Sequence, residues 1–275
     1  MASILNNVAA LGATRQLGIT GKGLQQTIER LTTGRRINRA SDDAAGLGIS
    51  NKLSADIRIA GQGKRNANDG ISYLQVADGV LDEVTNLLTR AAELAEQANT
   101  GTISDSNRVN IDSEFQNIIK TIGDIGMNTK FNGTNIYGSS ASISVGTFSS
   151  ITATVPSIST STTTALGLTA WDGSTGDNLQ SQANAALAKD PIIAALDSIS
   201  SVRASIGATM QQLTAVASSL GIQVENFSAA NSQIQDADIS TEVVNLTKFQ
   251  ILNQSGTAAL GKANQSSQSI LSLLQ

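Results

Sequence analysis

Between Val80 and Ala98, the apolar residues Val80, Val84, Leu87, Ala91, Leu94 and Ala98 follow one another at steps of 4, 3, 4, 3 and 4. That is a heptad seam, the pattern of a helix laid along another helix. Leu81, Leu88 and Ala95 add a parallel stripe at seven-residue steps. A helix with two such stripes packs against more than one partner. Downstream, from Ile192 to Phe227, apolar residues again recur every three or four positions. At ~1.5 Å per residue, that run is a rod of ~55 Å. Between the two, Val109, Ile111, Phe115, Ile118, Ile119, Ile122 and Ile125 mark a helix over about 105–128. Thr100-Gly101-Thr102 ends the helix before it, and Ser104-Asp105 supplies its cap. Asp190-Pro191 reads as an N-cap followed by proline at the first helical position. Pro156 and Pro191 are the only prolines and aromatic residues make up 3% of the chain, so aliphatic packing between uninterrupted helices suits this composition. The expected fold is mainly α: a long antiparallel helical rod or coiled-coil bundle with a small β-hairpin.

The hairpin falls in the middle. Residues 139–164 are mostly Ser and Thr, and there Ile143 and Val145, then Ile151, Ala153 and Val155, alternate with hydroxyl residues around Gly146-Thr147. Residues 159–178 read as a surface loop tipped by Trp171. The Ser/Thr run is equally a solvated face and a set of hydroxyls open to glycosylation.

Both ends are amphipathic yet weak by themselves. Ile4, Leu5, Val8, Leu11, Leu17, Ile28 and Leu31 are diluted by Gly12, Gly18, Gly21 and Gly23, each costing a helix about 1 kcal/mol relative to Ala. At the other end Val243, Leu246, Phe249, Leu252, Leu260, Ile270, Leu271, Leu273 and Leu274 lack a local partner. Residues 1–44 carry a net charge of +3 and residues 231–275 a net charge of −1, which lets the two ends lie together. We expect Ile4, Leu5, Val8, Leu11, Val243, Leu246, Phe249, Leu252, Leu271 and Leu274 to be packing residues of terminal helices. Such ends are disordered in a free monomer and fold when partners cover them.

Composition excludes much chemistry. The chain has neither His nor Cys, which removes the Ser-His-Asp triad, cysteine nucleophiles, His/Cys zinc sites, haem and iron–sulfur ligation. No cofactor is expected. A net charge of −4 argues against general nucleic-acid binding. No apolar run is long enough to span a bilayer, and no basic start of a secretory signal precedes Arg15. Asp42-Asp43 reads as a helix cap and first turn, rather than a catalytic carboxylate pair. Gly18–Gly23 lacks the pattern of a phosphate loop and reads as a bend or a place of close helix approach. Arg35, Arg36 and Arg39 read as a subunit contact or as partners of Asp236 and Asp238.

Four segments resemble the bacterial flagellins: LTTGRRINRASDDAAGLGIS (Leu31–Ser50), RNANDGISYLQVADGVL (Arg65–Leu81), KFNGTNI (Lys130–Ile136) and DADISTEVVNLTKFQILNQSGTAALGKANQ (Asp236–Gln265) followed by SILSLLQ. The resemblance implies a minimal flagellin with only the inner core domains. Residues 1–44 and 236–275 would be inner paired terminal helices, and residues 45–235 a rod domain with helices over about 45–99, 105–128 and 191–232 and a hairpin and Ser/Thr-rich loop over about 131–180. It implies a structural, non-enzymatic subunit of an extracellular filament for motility, exported unfolded and folding at the tip. Its partners would be copies of itself, an export chaperone over Val243, Leu246, Phe249 and Leu252, and the cap and hook-junction proteins. Arg90, Leu94 and Glu114 match positions where family members contact a host toll-like receptor, and Arg90, Leu94 and Gln97 share one helix face; subunit packing is the native role expected for them, with receptor contact a consequence of it. The family often has an Arg where this chain has Ala92. A hook–filament junction component, or a related secreted helical protein, is the alternative reading of the whole chain.

Overall fold

The computed structural model describes residues 7–146, 150–156 and 178–272, with side chains up to Gln265 and Ser266 at the C-terminal end. The expected loop around Trp171, together with Ile4, Leu5 and Leu274, lies outside the described residues. In chain order the elements are α1 (Val8–Thr33), α2 (Ala44–Asn99), α3 (Asp105–Asn128), β1 (Lys130–Phe131), β2 (Thr134–Asn135), β3 (Ser139–Ile143), β4 (Ile151–Val155), α4 (Gln182–Gln235) and α5 (Ile239–Ser272). They form two compact units: unit 1 comprises Met1–Ile57 and Glu225–Gln275, and unit 2 comprises Arg58–Val224.

The core of unit 2 is aliphatic, as the composition requires. Both stripes of α2 are buried: Val84, Ala91, Leu94 and Ala98 from the seam, and Leu81, Leu88 and Ala95 beside them. Val80 and Leu87 flank them, partly buried. Phe115, Ile119 and Ile122 of α3 and Ile192, Ile199, Ile206, Leu213 and Leu220 of α4 complete the cluster. Ion pairs lace its rim: Arg203 of α4 to Asp78 (2.9 Å) and Asp82 (2.7 Å), and Lys189 to Glu96 (2.8 Å).

Helix α4 starts at Gln182, so Asp190-Pro191 is not its N-terminus and Pro191 lies inside the helix. The seam explains this. Ala185 and Ala188 are fully buried and continue the three-four spacing upstream of Ile192, and the Ser181 hydroxyl accepts from the Asn184 N–H at 3.2 Å. Burial and capping together outweigh the hydrogen bond that proline removes, a loss of about 3 kcal/mol in a helix interior. At α3, Ser104 stands at the N-cap without a side-chain capping bond. Its hydroxyl meets Ser106 instead, and Asp105 holds Arg108 at 2.6 Å.

Two antiparallel hairpins sit in the middle. The first turns on Asn132 and Gly133, both with positive φ (50° and 82°), the backbone of a tight two-residue turn. The second pairs Ser139 with Val155 through to Ile143 with Ile151. Its tip lies against α2. A Cβ on Gly63 would come within 2.8 Å of the Val145 carbonyl carbon, and one on Gly70 would overlap the Ile143 side chain. These glycines, seven apart on one helix face, are the notches that admit the hairpin. Tyr73 and Tyr137 of the same region donate to the Ile136 and Ala77 carbonyls at 3.1 and 2.8 Å, and burial pushes the Tyr137 phenol well above its ordinary pKa.

Buried polar side chains fix the chain reversals. Arg108 donates to the Ala98 and Thr100 carbonyls (2.8 and 2.9 Å), capping the end of α2. Asp112 accepts from the Leu179 N–H and the Gln180 side-chain amide, both at 2.9 Å, anchoring the approach to α4.

Candidate functional site: the paired terminal helices

In unit 1, α1 and α5 run antiparallel. Asn7 caps α1, its Oδ1 accepting from the Ala10 N–H at 2.9 Å, while its amide donates to the Ala263 carbonyl of α5 at 3.0 Å. Leu17 meets Gly256, and Gly23 faces the ring of Phe249, which lies 2.7 Å from where a Cβ would be. Arg30 and Glu242 form an ion pair at 3.2 Å near the other end. The buried residues of α1 are Thr20 and Thr27, so this is a thin interface of small residues.

The chain crosses into and out of the pair side by side. Helix α1 ends at Gly34 with φ 69°, its N–H bonded to the Arg30 carbonyl. The Arg36 N–H then donates to the Gln235 carbonyl at 2.7 Å, and the Ala237 N–H to the Gly34 carbonyl at 3.0 Å. Asp43 caps α2, accepting from the Gly46 N–H at 2.8 Å. Asp42 accepts from the N–H groups of Arg39 and Asn38, and these bonds hold its carboxyl below the usual carboxylate range. Asp43 is thus spent on the start of α2 and Asp42 on the backbone of the turn before it, outside the helix's first turn. The expected pairing of the arginines with Asp236 and Asp238 takes a different form. The Arg35–Asp236 link is a backbone bridge, Arg39 pairs with Glu29 (3.0 Å), and Arg36 donates to the Ile234 carbonyl. Asp238 instead caps α5 through Ser240 and Thr241, because four orphan N–H groups at a helix start outcompete a solvated arginine.

Among the residues expected to pack the terminal helices, Leu246 and Phe249 are half-buried against α1. Val8 and Leu11 are each 74% exposed, and Val243 and Leu252 are also exposed. Leu271 is in α5. The outward row further includes Ile19 on α1 and Val244 and Ile251 on α5, 67% and 57% exposed. Their sequence signal is the seven-residue spacing of Val244, Ile251 and Ala258. Val243, Val244, Thr247, Lys248, Ile251 and Leu252 line one shallow apolar depression of about 500 Å³.

In unit 2, Arg90, Gln97 and Glu114 are exposed and Leu94 is buried in the core. Arg90 and Glu114 are bound to each other, α2 to α3, at 2.8 Å, with Glu93 on the same guanidinium at 3.1 Å. The hydrogen bond to Glu114, then that to Glu93, raises the Arg90 pKa above its ordinary value. No helix is long and apolar enough to cross a membrane, and no cluster of potential metal ligands occurs among the described residues. The arrangement offers no reacting group; it offers an uncovered apolar surface on a thinly held helix pair.

Comparison with known proteins gives this surface its context. The bacterial flagellin N-terminal helical region matches residues 4–141, and the bacterial flagellin C-terminal helical region matches residues 190–274. Flagellin FlaB2 of Treponema pallidum (strain Nichols) is 36% identical, covering 99% of each chain. The flagellar filament 30.7 kDa core protein of Treponema maltophilum is 38% identical over 98% of this chain and 99% of that one. A flagellin of Halalkalibacterium halodurans is 36% identical, with 99% of both covered. With α1 to β2 inside one matched region and α5 with most of α4 inside the other, this chain belongs to the bacterial flagellin family.

Proposed function

We infer that this chain is the structural subunit of a bacterial flagellar filament, and that copies meet through the outward apolar faces of α1 and α5. The role is mechanical rather than catalytic, and the filament is the extracellular part of the flagellum. The observation that carries the contact surface is the row Val8, Leu11 and Ile19 with Val243, Val244, Ile251 and Leu252, all exposed on two paired helices. Large apolar side chains this numerous and this exposed on two paired helices mark a surface that another molecule covers. A thin pair held by small residues opens in the free chain and closes when neighbours bury its outer side. Residues 1–44 and 236–275 then form the inner domain and 45–235 the rod; the helix breaks at 34–43 and 236–238 support that division.

Finer partners follow the same logic. The chain leaves the cell unfolded and folds at the filament tip beneath a cap protein, with hook-junction proteins at the base. No Cys is present to crosslink it in transit. An export chaperone covers the α5 face before assembly. The Arg90–Glu114 pair is solvent-exposed and supports a subunit or host toll-like receptor contact, with Gln97 on its edge and Leu94 acting through the core beneath. The polymerisation surface is tested by Val244→Asp/Ile251→Asp in the full chain, added to filament seeds. Elongation stops while the thermal unfolding of unit 2 is unchanged; normal filaments from this variant would refute the assignment.

A further inference from the structure

Charge is segregated along this chain. Before Glu29 and after Glu242 the sequence holds no Asp or Glu, yet it holds Arg15, Lys22, Lys248 and Lys262. The chain has 18 Lys and Arg and 22 Asp and Glu; with those four cations set aside, the remainder is net −8. The cations alternate with the outward apolar row. On α1, Val8, Leu11, Arg15, Ile19 and Lys22 step by 3, 4, 4 and 3, which puts them within about 80° of the helix circumference. On α5, Val244, Lys248, Ile251, Ser255, Ala258 and Lys262 step by 4, 3, 4, 3 and 4 and fill a similar arc. All eleven are exposed. The residues that pair the two helices, Thr20 and Thr27 on α1 and Phe249 and Gly256 on α5, lie on the other side of each helix. Arg15 shares a depression with Val8 and Leu11, and Lys248 shares one with Val244 and Ile251. Among the described residues none of the four cations is ion-paired.

We propose that, before assembly, the outer stripes of α1 and α5 dock the free chain on a bilayer surface rich in anionic phospholipid, the docked helix lying in the plane of the interface. A partner for such a stripe must take cations and bulky aliphatic side chains turn by turn. A nucleic acid offers phosphates but no apolar phase, and the stripes carry no aromatic ring to stack on a base. The headgroup layer of an anionic bilayer takes both: the aliphatic side chains enter the acyl boundary, while the Lys and Arg stems lie along it and keep their charges among the phosphates. Docking of this kind is interfacial; no helix is long and apolar enough to cross a membrane. The acidic remainder of the chain is repelled by the same surface, which leaves the terminal helices as the part that touches. The proposal concerns the unassembled chain and does not depend on what covers these faces in a filament.

The test uses full-length monomer without seeds. It is mixed with vesicles of phosphatidylcholine alone, or of equal parts phosphatidylcholine and phosphatidylglycerol, and bound protein is read by flotation. Binding to the mixed vesicles is tighter by about tenfold or more and weakens with added salt. The native chain lacks Cys, so a polarity-sensitive dye on Ser255→Cys labels one point of the α5 stripe. Its emission shifts to the blue on the mixed vesicles. Arg15→Gln/Lys22→Gln/Lys248→Gln/Lys262→Gln falls to the level of neutral vesicles, whereas the charge-preserving Arg15→Lys/Lys22→Arg/Lys248→Arg/Lys262→Arg binds as the parent does. Equal binding of the parent to both vesicles, or undiminished binding of the glutamine variant, overturns the proposal. So does an unshifted dye on the mixed vesicles, the mark of a merely ionic contact such as an acidic protein or a nucleic acid also makes. If the glutamine variant loses helicity by circular dichroism, the charge-preserving chain decides, and its failure to bind the mixed vesicles overturns the proposal. Seeded elongation is a separate reading. A parent that binds vesicles yet never elongates refutes the polymerisation surface alone; one that elongates and ignores the mixed vesicles refutes the lipid surface alone.

Discussion

Replacing Asp112 with Ala removes the carboxylate that anchors the approach to α4. Its Oδ1 accepts from the Leu179 N–H at 2.9 Å and, more loosely, from the Gln116 amide at 3.4 Å; its Oδ2 accepts from the Gln180 amide at 2.9 Å. Leu179 is fully buried, so its N–H is left without a partner, at a cost of about 1–3 kcal/mol. The Gln180 amide is nearer solvent and recovers most of its bond from water, adding about 0.5–1 kcal/mol. Against this, the variant no longer buries a carboxylate, which returns part of that loss. The net is about 2 kcal/mol, and at about 2–4 °C per kcal/mol for a unit of this size the midpoint of unit 2 falls by about 4–8 °C. Asp112→Asn keeps an oxygen for Leu179 and costs about 1 kcal/mol or less. Calorimetry of the full chain gives the midpoints, and hydrogen exchange at the Leu179 amide gives the local effect. A Leu179 amide equally protected in Asp112→Ala, with the unit 2 midpoint unmoved, would show that the carboxylate anchors nothing.

Gly63→Val drives a side chain into the Val145 carbonyl at the hairpin tip, where backbone cannot yield as a flexible side chain does; unit 2 loses about 1–3 kcal/mol, read by thermal unfolding with faster exchange across β3 and β4, and a silent substitution contradicts the notch. Acid acts on unit 1 through Asp42 and Asp238. Backbone N–H bonds from Arg39 and Asn38 lower the first, and the Thr241 hydroxyl, then the Thr241 and Ser240 N–H groups, lower the second. Because the folded values lie below the unfolded one, their stabilisation is complete above about pH 4 and disappears as pH falls through the depressed values. Asp42→Asn/Asp238→Asn keeps the capping oxygens without the titration, so its helicity changes less between about pH 4 and pH 2 than the parent's; identical acid profiles would contradict this.

The rod helices were legible because heptad spacing is a property of sequence alone: the two stripes of α2 became the buried face. The start of α4 was not, because Asp190-Pro191 is a strong local signal and the burial of Ala185 and Ala188 that overrides it is a tertiary effect. Charge arithmetic brought the two ends together but named the wrong partners. A segment sum cannot tell that Asp238 is consumed by helix capping, nor that Arg30 reaches across to the buried Glu242 carboxylate. Leu94 shows the same limit from the other side. Its face-sharing with Arg90 and Gln97 is read from spacing, whereas its burial depends on which stripe meets the core. Arg108 and Asp112 carried no signal, since the Ala98 and Thr100 carbonyls and the Leu179 and Gln180 N–H groups that they bind are brought beside them only by the fold.

The backbone ladder that ties Arg36 to Gln235 and Gly34 to Ala237 joins positions about two hundred residues apart, and Asn7 reaches further still, to Ala263. Contacts of such long separation are the last a chain can make. For a polypeptide delivered from one end, the earliest helix to emerge must wait for the latest before either has a mate. A prematurely terminated molecule would complete most of its rod but never this junction. Completeness of synthesis is thereby inspected by geometry, at the junction where the two terminal helices meet.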